Sequence, residues 1–180
     1  MSFNSIFADD LYFLIDDFSG DKFRLNRSWE GFTDQVMGGV SEISISRISR
    51  QNEPFVRMSG EVSLENNGGF IQIRHMLSEP FKPFDGSDYQ GIRLKVRGRG
   101  DGYYIFLRTT ATVFPWKFYK SEIMLEETWS TVDLPWSSFS EGDYGTLRAF
   151  RPDKLKSLAI VAYGKEFTAQ IDISEIGLYK

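Results

Sequence analysis

The sequence predicts an all-β protein, an antiparallel β-sandwich of the jelly-roll kind, and three observations predict it. Short segments alternate apolar and polar residues with period two, turn residues separate them, and no stretch longer than about ten residues keeps a helical apolar period. Composition agrees: 16 Phe, 8 Tyr and 4 Trp among 180 residues favour pleated, half-buried surfaces over helix. Nine or so strands in this pattern fit two packed sheets, and one domain is expected over 1–180, with its core at about 12–179.

The elements follow in order. YFLIDDF, from Tyr12, is a short apolar run ended by Ser19-Gly20, and VSEISISRIS alternates from Val40 onward. After Glu53-Pro54, FVRMSGEVSLE reads as a strand, and Asn66-Asn67-Gly68-Gly69 supplies the positive-φ positions of a tight turn into a partner strand, FIQIRHM. LSEPFKPFDGSDYQ carries Pro80 and Pro83 and is a connection. GIRLKVRG puts Ile92, Leu94 and Val96 on one face and Arg93, Lys95 and Arg97 on the other, a strand with one wet face. Beyond the Gly98-to-Gly102 turn, YYIFLRTT is apolar on both faces, as a central strand requires. FPWKFYKSEIML, WSTVDLPW, LKSLAIVAYG and FTAQIDISEIGLY are further strands. SSFSEGDYGTLRAFRPDKLKS is the long irregular stretch, with a short helical turn near Pro152.

Charge and residue usage exclude several functions. The chain has 21 Lys+Arg against 25 Asp+Glu, a net charge of -4, and so no general attraction for nucleic acid or anionic lipid. Cysteine is absent, which removes disulfides, thiolate metal sites and a thiol nucleophile. No apolar run approaches the ~20 residues of a membrane span. MSFNSIFADDLYFLIDDF holds four aspartates and no basic residue, unlike a secretory signal or transit peptide. A soluble cytoplasmic chain is expected, bacterial or stripped of an organelle leader.

Four blocks then carry a family resemblance. WEGFTDQVMGGVSE (Trp29 to Glu42), SGEVSLENNGGFIQIR (Ser59 to Arg74), YQGIRLKVRGRGDGYYIFLR (Tyr89 to Arg108) and WSTVDLPWSSF (Trp129 to Phe139) occur in that order. Together they resemble the complex I intermediate-associated protein family. The resemblance implies a galactose-binding-like jelly roll and, for mitochondrial members, a non-enzymatic assembly factor for NADH:ubiquinone oxidoreductase. A form without the transit peptide and N-terminal extension of those members is expected here.

Most chemical motifs have a plain structural reading. Gly98-Arg-Gly-Asp-Gly102 resembles a phosphate-binding run, but a strand follows it, so no helix N-terminus is there to hold a phosphate; a hairpin turn is expected. Its Arg99-Gly100-Asp101 tripeptide is read as coincidence, and the Asn26-Arg27-Ser28 sequon as unused. The single histidine, His75, has no nucleophile or carboxylate motif beside it and is read as structural or superficial. The pairs Asp9-Asp10 and Asp16-Asp17 are adjacent residues that point to opposite strand faces, so glycosidase chemistry is unsupported. Asp85-Gly-Ser-Asp88 suits an Asx turn, with a structural calcium as the alternative. No metal site, cofactor or catalytic set is expected.

One constellation points to binding. Phe70, Gln72 and Arg74 share a strand face, as do Tyr104, Phe106 and Arg108, and each face ends in an arginine that is costly to bury unpaired. Trp116 and, with opposite parity, Tyr119 extend the set. On a concave sheet these residues would form a groove for a carboxylate, a sugar ring or a protein segment. The competing reading is that both arginines pair with nearby carboxylates and hold strands together. In the opening block, Trp29 and Phe32 are expected to anchor a corner, Gly38-Gly39 to permit positive φ or close approach, and Asp34 and Gln35 to face a ligand unless Asp34 bonds backbone locally. The expected partners are subunits or assembly intermediates of a membrane complex, or alternatively a carbohydrate or small ligand held by the arginine-aromatic face; nucleic acid is not expected.

Overall fold

The structure is a computed structural model, and it describes residues 11–20, 29–146 and 148–180. Twelve strands occur among the described residues: β1 (Tyr12–Asp16), β2 (Glu30–Thr33), β3 (Glu42–Arg50), β4 (Glu53–Val62), β5 (Phe70–Met76), β6 (Gly91–Gly98), β7 (Tyr103–Thr109), β8 (Tyr119–Glu122), β9 (Ser130–Pro135), β10 (Ser140–Glu141), β11 (Leu155–Tyr163) and β12 (Phe167–Tyr179). They form two six-stranded sheets. One has the order β3-β4-β12-β6-β9, with β1 added on β12; the other has the order β10-β8-β7-β11-β5-β2. Every pairing is antiparallel.

Side-chain alternation explains how the sheets meet. Ile92, Leu94 and Val96 of β6 turn inward with Ile171, Ile173, Ile176 and Leu178 of β12, against Ile71 and Ile73 of β5, Ile105 and Leu107 of β7, and Leu158 and Ile160 of β11. At roughly 25 cal/mol per Å² of apolar area removed from water, this interlayer core is the main stabilising contribution. β11 is buried on both faces, and behind it Ala159 and Val161 join Phe106 and Phe118 in a smaller cluster outside the second sheet. The apolar-on-both-faces reading of YYIFLRTT is explained the same way, because β7 lies between β8 and β11.

The Asn66-to-Gly69 segment departs from the expected hairpin. β4 and β5 do not pair; the segment carries the chain from the first sheet to the second, through a 3-10 turn (Glu65–Asn67) with φ of 56° at Asn66 and 59° at Asn67. The turn residues were legible, but a tight reversal does not say whether the next strand stays in the same sheet. Two elements beyond those expected are the short strands β2 and β10; FPWKFYKSEIML yields only four strand residues, in β8. The helical turn near Pro152 is present as a 3-10 turn, Pro152–Lys154. The Asn26 sequon and the Asp9-Asp10 pair lie outside the described residues.

Candidate functional site

The WEGFTDQVMGGVSE block forms a corner around one carboxylate. Thr33 ends β2 and caps a 3-10 turn (Asp34–Met37), accepting a hydrogen bond from Gln35 N. Asp34 is fully buried. Its carboxylate accepts from Ser41 N at 2.9 Å, Ser41 Oγ at 2.5 Å, Gly69 N at 2.6 Å and Phe70 N at 3.3 Å. It therefore joins the β2–β3 corner to the entry of β5 and is not turned to a ligand. Burial pushes this carboxyl up, but the bonds from Ser41, Gly69 and Phe70 together pull it further down, below the usual aspartate range. The adjacent glycines are then explained separately. Gly38 has φ of 91° at the end of the turn, and a Cβ on Gly39 would lie 2.4 Å from the Asp34 carboxylate. Gln35 is exposed, and its Nε2 donates to Ser41 O at 2.9 Å. Trp29 anchors the neighbourhood as expected, donating Nε1–H to Asp16 Oδ2 at 2.9 Å and packing its ring, tilted, against His75. His75 is buried, not superficial. Phe32 differs from the corner anchor expected of it: on β2, opposite Gln72, it puts its ring on the sheet's outer face beneath the Arg74 guanidinium, 4.1 Å from it.

The second sheet brings the arginine-aromatic set together on its outer face. Along β11, Ala159 lies opposite Arg74 on one side and Phe106 on the other, Val161 opposite Gln72 and Tyr104, and Ser157 opposite Arg108. Gln72, Arg74, Phe106 and Arg108 thus share one surface. Phe106 is buried within it, stacked on Phe118 at 3.9 Å and edge-on to Tyr163 at 5.2 Å. Lys120 lies over Tyr104 and Tyr163 and bonds Asp143 at 2.6 Å, while Tyr163 also donates its hydroxyl proton to Asp143.

Trp116 and Tyr119 part company. Trp116 is 46% exposed in the β7–β8 loop, stacked parallel on Phe114 at 5.1 Å. Tyr119 points into the core and donates its hydroxyl to Arg148 O at 2.7 Å, so it is no part of the surface. Its parity, opposite to that of the outward Lys120, is the signal that separates the two.

The ion-pair expectation divides in the same way. Arg74 reaches Glu30 only at 3.8 Å. Arg108 donates Nη2–H to Phe114 O at 2.9 Å and Thr112 O at 3.4 Å, and among the described residues it meets no carboxylate within 4.0 Å. Burial, and next the like charge of Arg74, lower its pKa from the ordinary arginine value. Residues that sequence reasoning passed over are Phe114 and Val113, exposed beside Trp116, and Glu30.

The opposite sheet carries a different cluster. Asp172, only 3% exposed, takes Arg57 through Nε and Nη2 at 2.6 and 2.9 Å and Arg97 through Nε at 2.9 Å; a recess of about 420 Å³ adjoins them. Asp85 forms the expected Asx turn with Ser87, and no grouping of three or more metal-ligating side chains occurs among the described residues. No helix is long and apolar enough to cross a membrane among them.

The geometry defines a galactose-binding-like jelly roll of the kind seen in carbohydrate-binding modules. The chain is similar to the family 11 carbohydrate-binding module of the cellulosomal cellulase Lic26A-Cel5E of Clostridium thermocellum, with TM-score 0.74 and 15% identity over 93% of this chain and 94% of that one. It is also similar to the Clostridium thermocellum family 11 module in complex with a β-1,3-1,4-mixed-linked tetrasaccharide (TM-score 0.72, 17% identity, 94% and 95% covered) and to a family 30 module (0.55, 12%, 83% and 91%). At these identities the likeness is one of fold. No curated protein matches the chain. Residues 17–173 match the family Complex I intermediate-associated protein 30 (CIA30), and the chain belongs to that family.

Proposed function

We propose that this chain is a non-enzymatic interaction module that assists assembly of a multi-subunit membrane or redox complex, in the manner of a chaperone. The observation that carries the reading is the outer face of β5–β11–β7, where Gln72, Arg74 and Arg108 share one surface and Arg108 bonds the loop that bears the exposed Phe114–Trp116 stack. Membership of the CIA30 family supports it. So does the chemistry of the face, which offers guanidinium donors and flat aromatic surface. Arg and Trp are the side chains that most often anchor protein interfaces.

The test is affinity capture of the tagged chain from a native extract of its source, with identification of co-purifying subunits. Enrichment of subunits or assembly intermediates of one membrane complex supports the reading. Their absence, together with saturable binding in a glycan screen, overturns it.

A second reading, a carbohydrate-binding module, is favoured by the same Phe114–Trp116 pair, because parallel exposed rings suit a sugar face. One of the similar modules is recorded with a bound tetrasaccharide.

A further inference from the structure

Arg74 and Arg108 stand on the two strands flanking β11, offset by two residues in register and so about 12 Å apart between their Cα atoms by strand spacing and rise, with Ala159 and Ser157 as the short, buried side chains between them. Both Nε atoms are buried without a hydrogen-bond partner. Three other strand arginines are matched to carboxylates: Arg57 and Arg97 to Asp172, and Arg93 to Asp133 through Nε and Nη2, both at 2.7 Å. Among the described residues Arg108 has only the two carbonyl oxygens of its own loop, and Arg74 has the distant, 64% exposed Glu30. Two cations thus face one patch that lacks a firmly held anion, and an anion placed there would relieve their repulsion and gain attraction from both.

The donors identify the kind of anion. They are side-chain guanidinium forks on strands, whose planar geometry matches a carboxylate. Among the described residues no helix N-terminus serves the patch, and the Phe114 and Thr112 carbonyls at the Arg108 fork disfavour a dianion such as phosphate. Glu30 already occupies the outskirts of the patch, as a weak internal carboxylate at Arg74.

We infer that Arg74 and Arg108 grip the carboxylates of an acidic polypeptide segment, with the Phe114–Trp116 stack covering its apolar part. This deepens the interaction-module reading and rests on it.

The test titrates labelled hexaglutamate into the full chain, with hexaglutamine, inorganic phosphate and an oligogalacturonate as comparisons. Hexaglutamate should bind saturably and hexaglutamine should not. Arg74→Ala and Arg108→Ala should each weaken binding about tenfold, as loss of one charge-assisted contact implies. Glu30→Gln should tighten it, because a competing carboxylate is removed. Arg108→Lys, which keeps the charge and loses the fork, should fall between wild type and Arg108→Ala, and circular dichroism of each variant separates lost binding from lost folding. Equal binding of hexaglutamine, or no effect of Glu30→Gln, overturns the inference. Preference for phosphate or for oligogalacturonate does so too. Hexaglutamate failing while native subunits still co-purify sinks only the acidic-segment assignment; hexaglutamate binding with no native subunit captured sinks the assembly reading and leaves this one.

Discussion

The Asp34 carboxylate accepts the Gly69 backbone N–H at 2.6 Å, tying the corner after β2 to the point where the chain enters β5. That bond makes the most recognisable sequence block a structural clamp. Asp34→Ala strands buried N–H groups of Ser41 and Gly69 and should cost roughly 2–4 kcal/mol. Urea unfolding with an unchanged slope checks it.

The same residue predicts an acid dependence. Its folded pKa is depressed, so it contributes stability that is fully present above the unfolded value of about 3.9 and lost as pH falls through the folded value. Unfolding free energies measured from pH 6 downward should therefore fall less steeply below about pH 4 in Asp34→Asn than in wild type. Equal acid limbs would remove Asp34 from the account.

The paired glycines should respond unequally. Gly38→Ala places a side chain in open space at φ of 91° and should cost about 1–2 kcal/mol in backbone strain. Gly39→Ala drives Cβ into the Asp34 carboxylate and should cost more, with thermal midpoints giving the order.

On the opposite sheet, Asp172→Ala leaves Arg57 and Arg97 without their shared carboxylate. A loss of about 3 kcal/mol is expected, near the lower end for buried pairs because both arginines are partly exposed. Arg99→Ala, which breaks an exposed pair with Glu127, should cost no more than about 0.5 kcal/mol. Denaturant midpoints measured side by side distinguish the two.

Much of this was legible in the sequence, because period-two alternation depends only on which residues meet the core. Ile92, Leu94 and Val96 point inward as their spacing requires, and the same alternation correctly put Gln72, Arg74, Phe106 and Arg108 on common faces. It did not show that β5 and β7 are joined through β11, since adjacency in a sheet is set by long-range pairing. Asp34 misled for a related reason. Its partners Ser41, Gly69 and Phe70 come from two separate segments, and only the folded corner reveals that its oxygens are already occupied.

The central claim is that the outer face of β5–β11–β7 meets the partner. The chain has no cysteine, so a single cysteine in place of Val113, exposed beside the Phe114–Trp116 stack, carries one photo-crosslinker. Ser44→Cys on β3 of the other sheet is the control. The account predicts crosslinks to membrane-complex subunits in native extract from position 113 and none from position 44; crosslinks to those subunits from position 44 alone would contradict it.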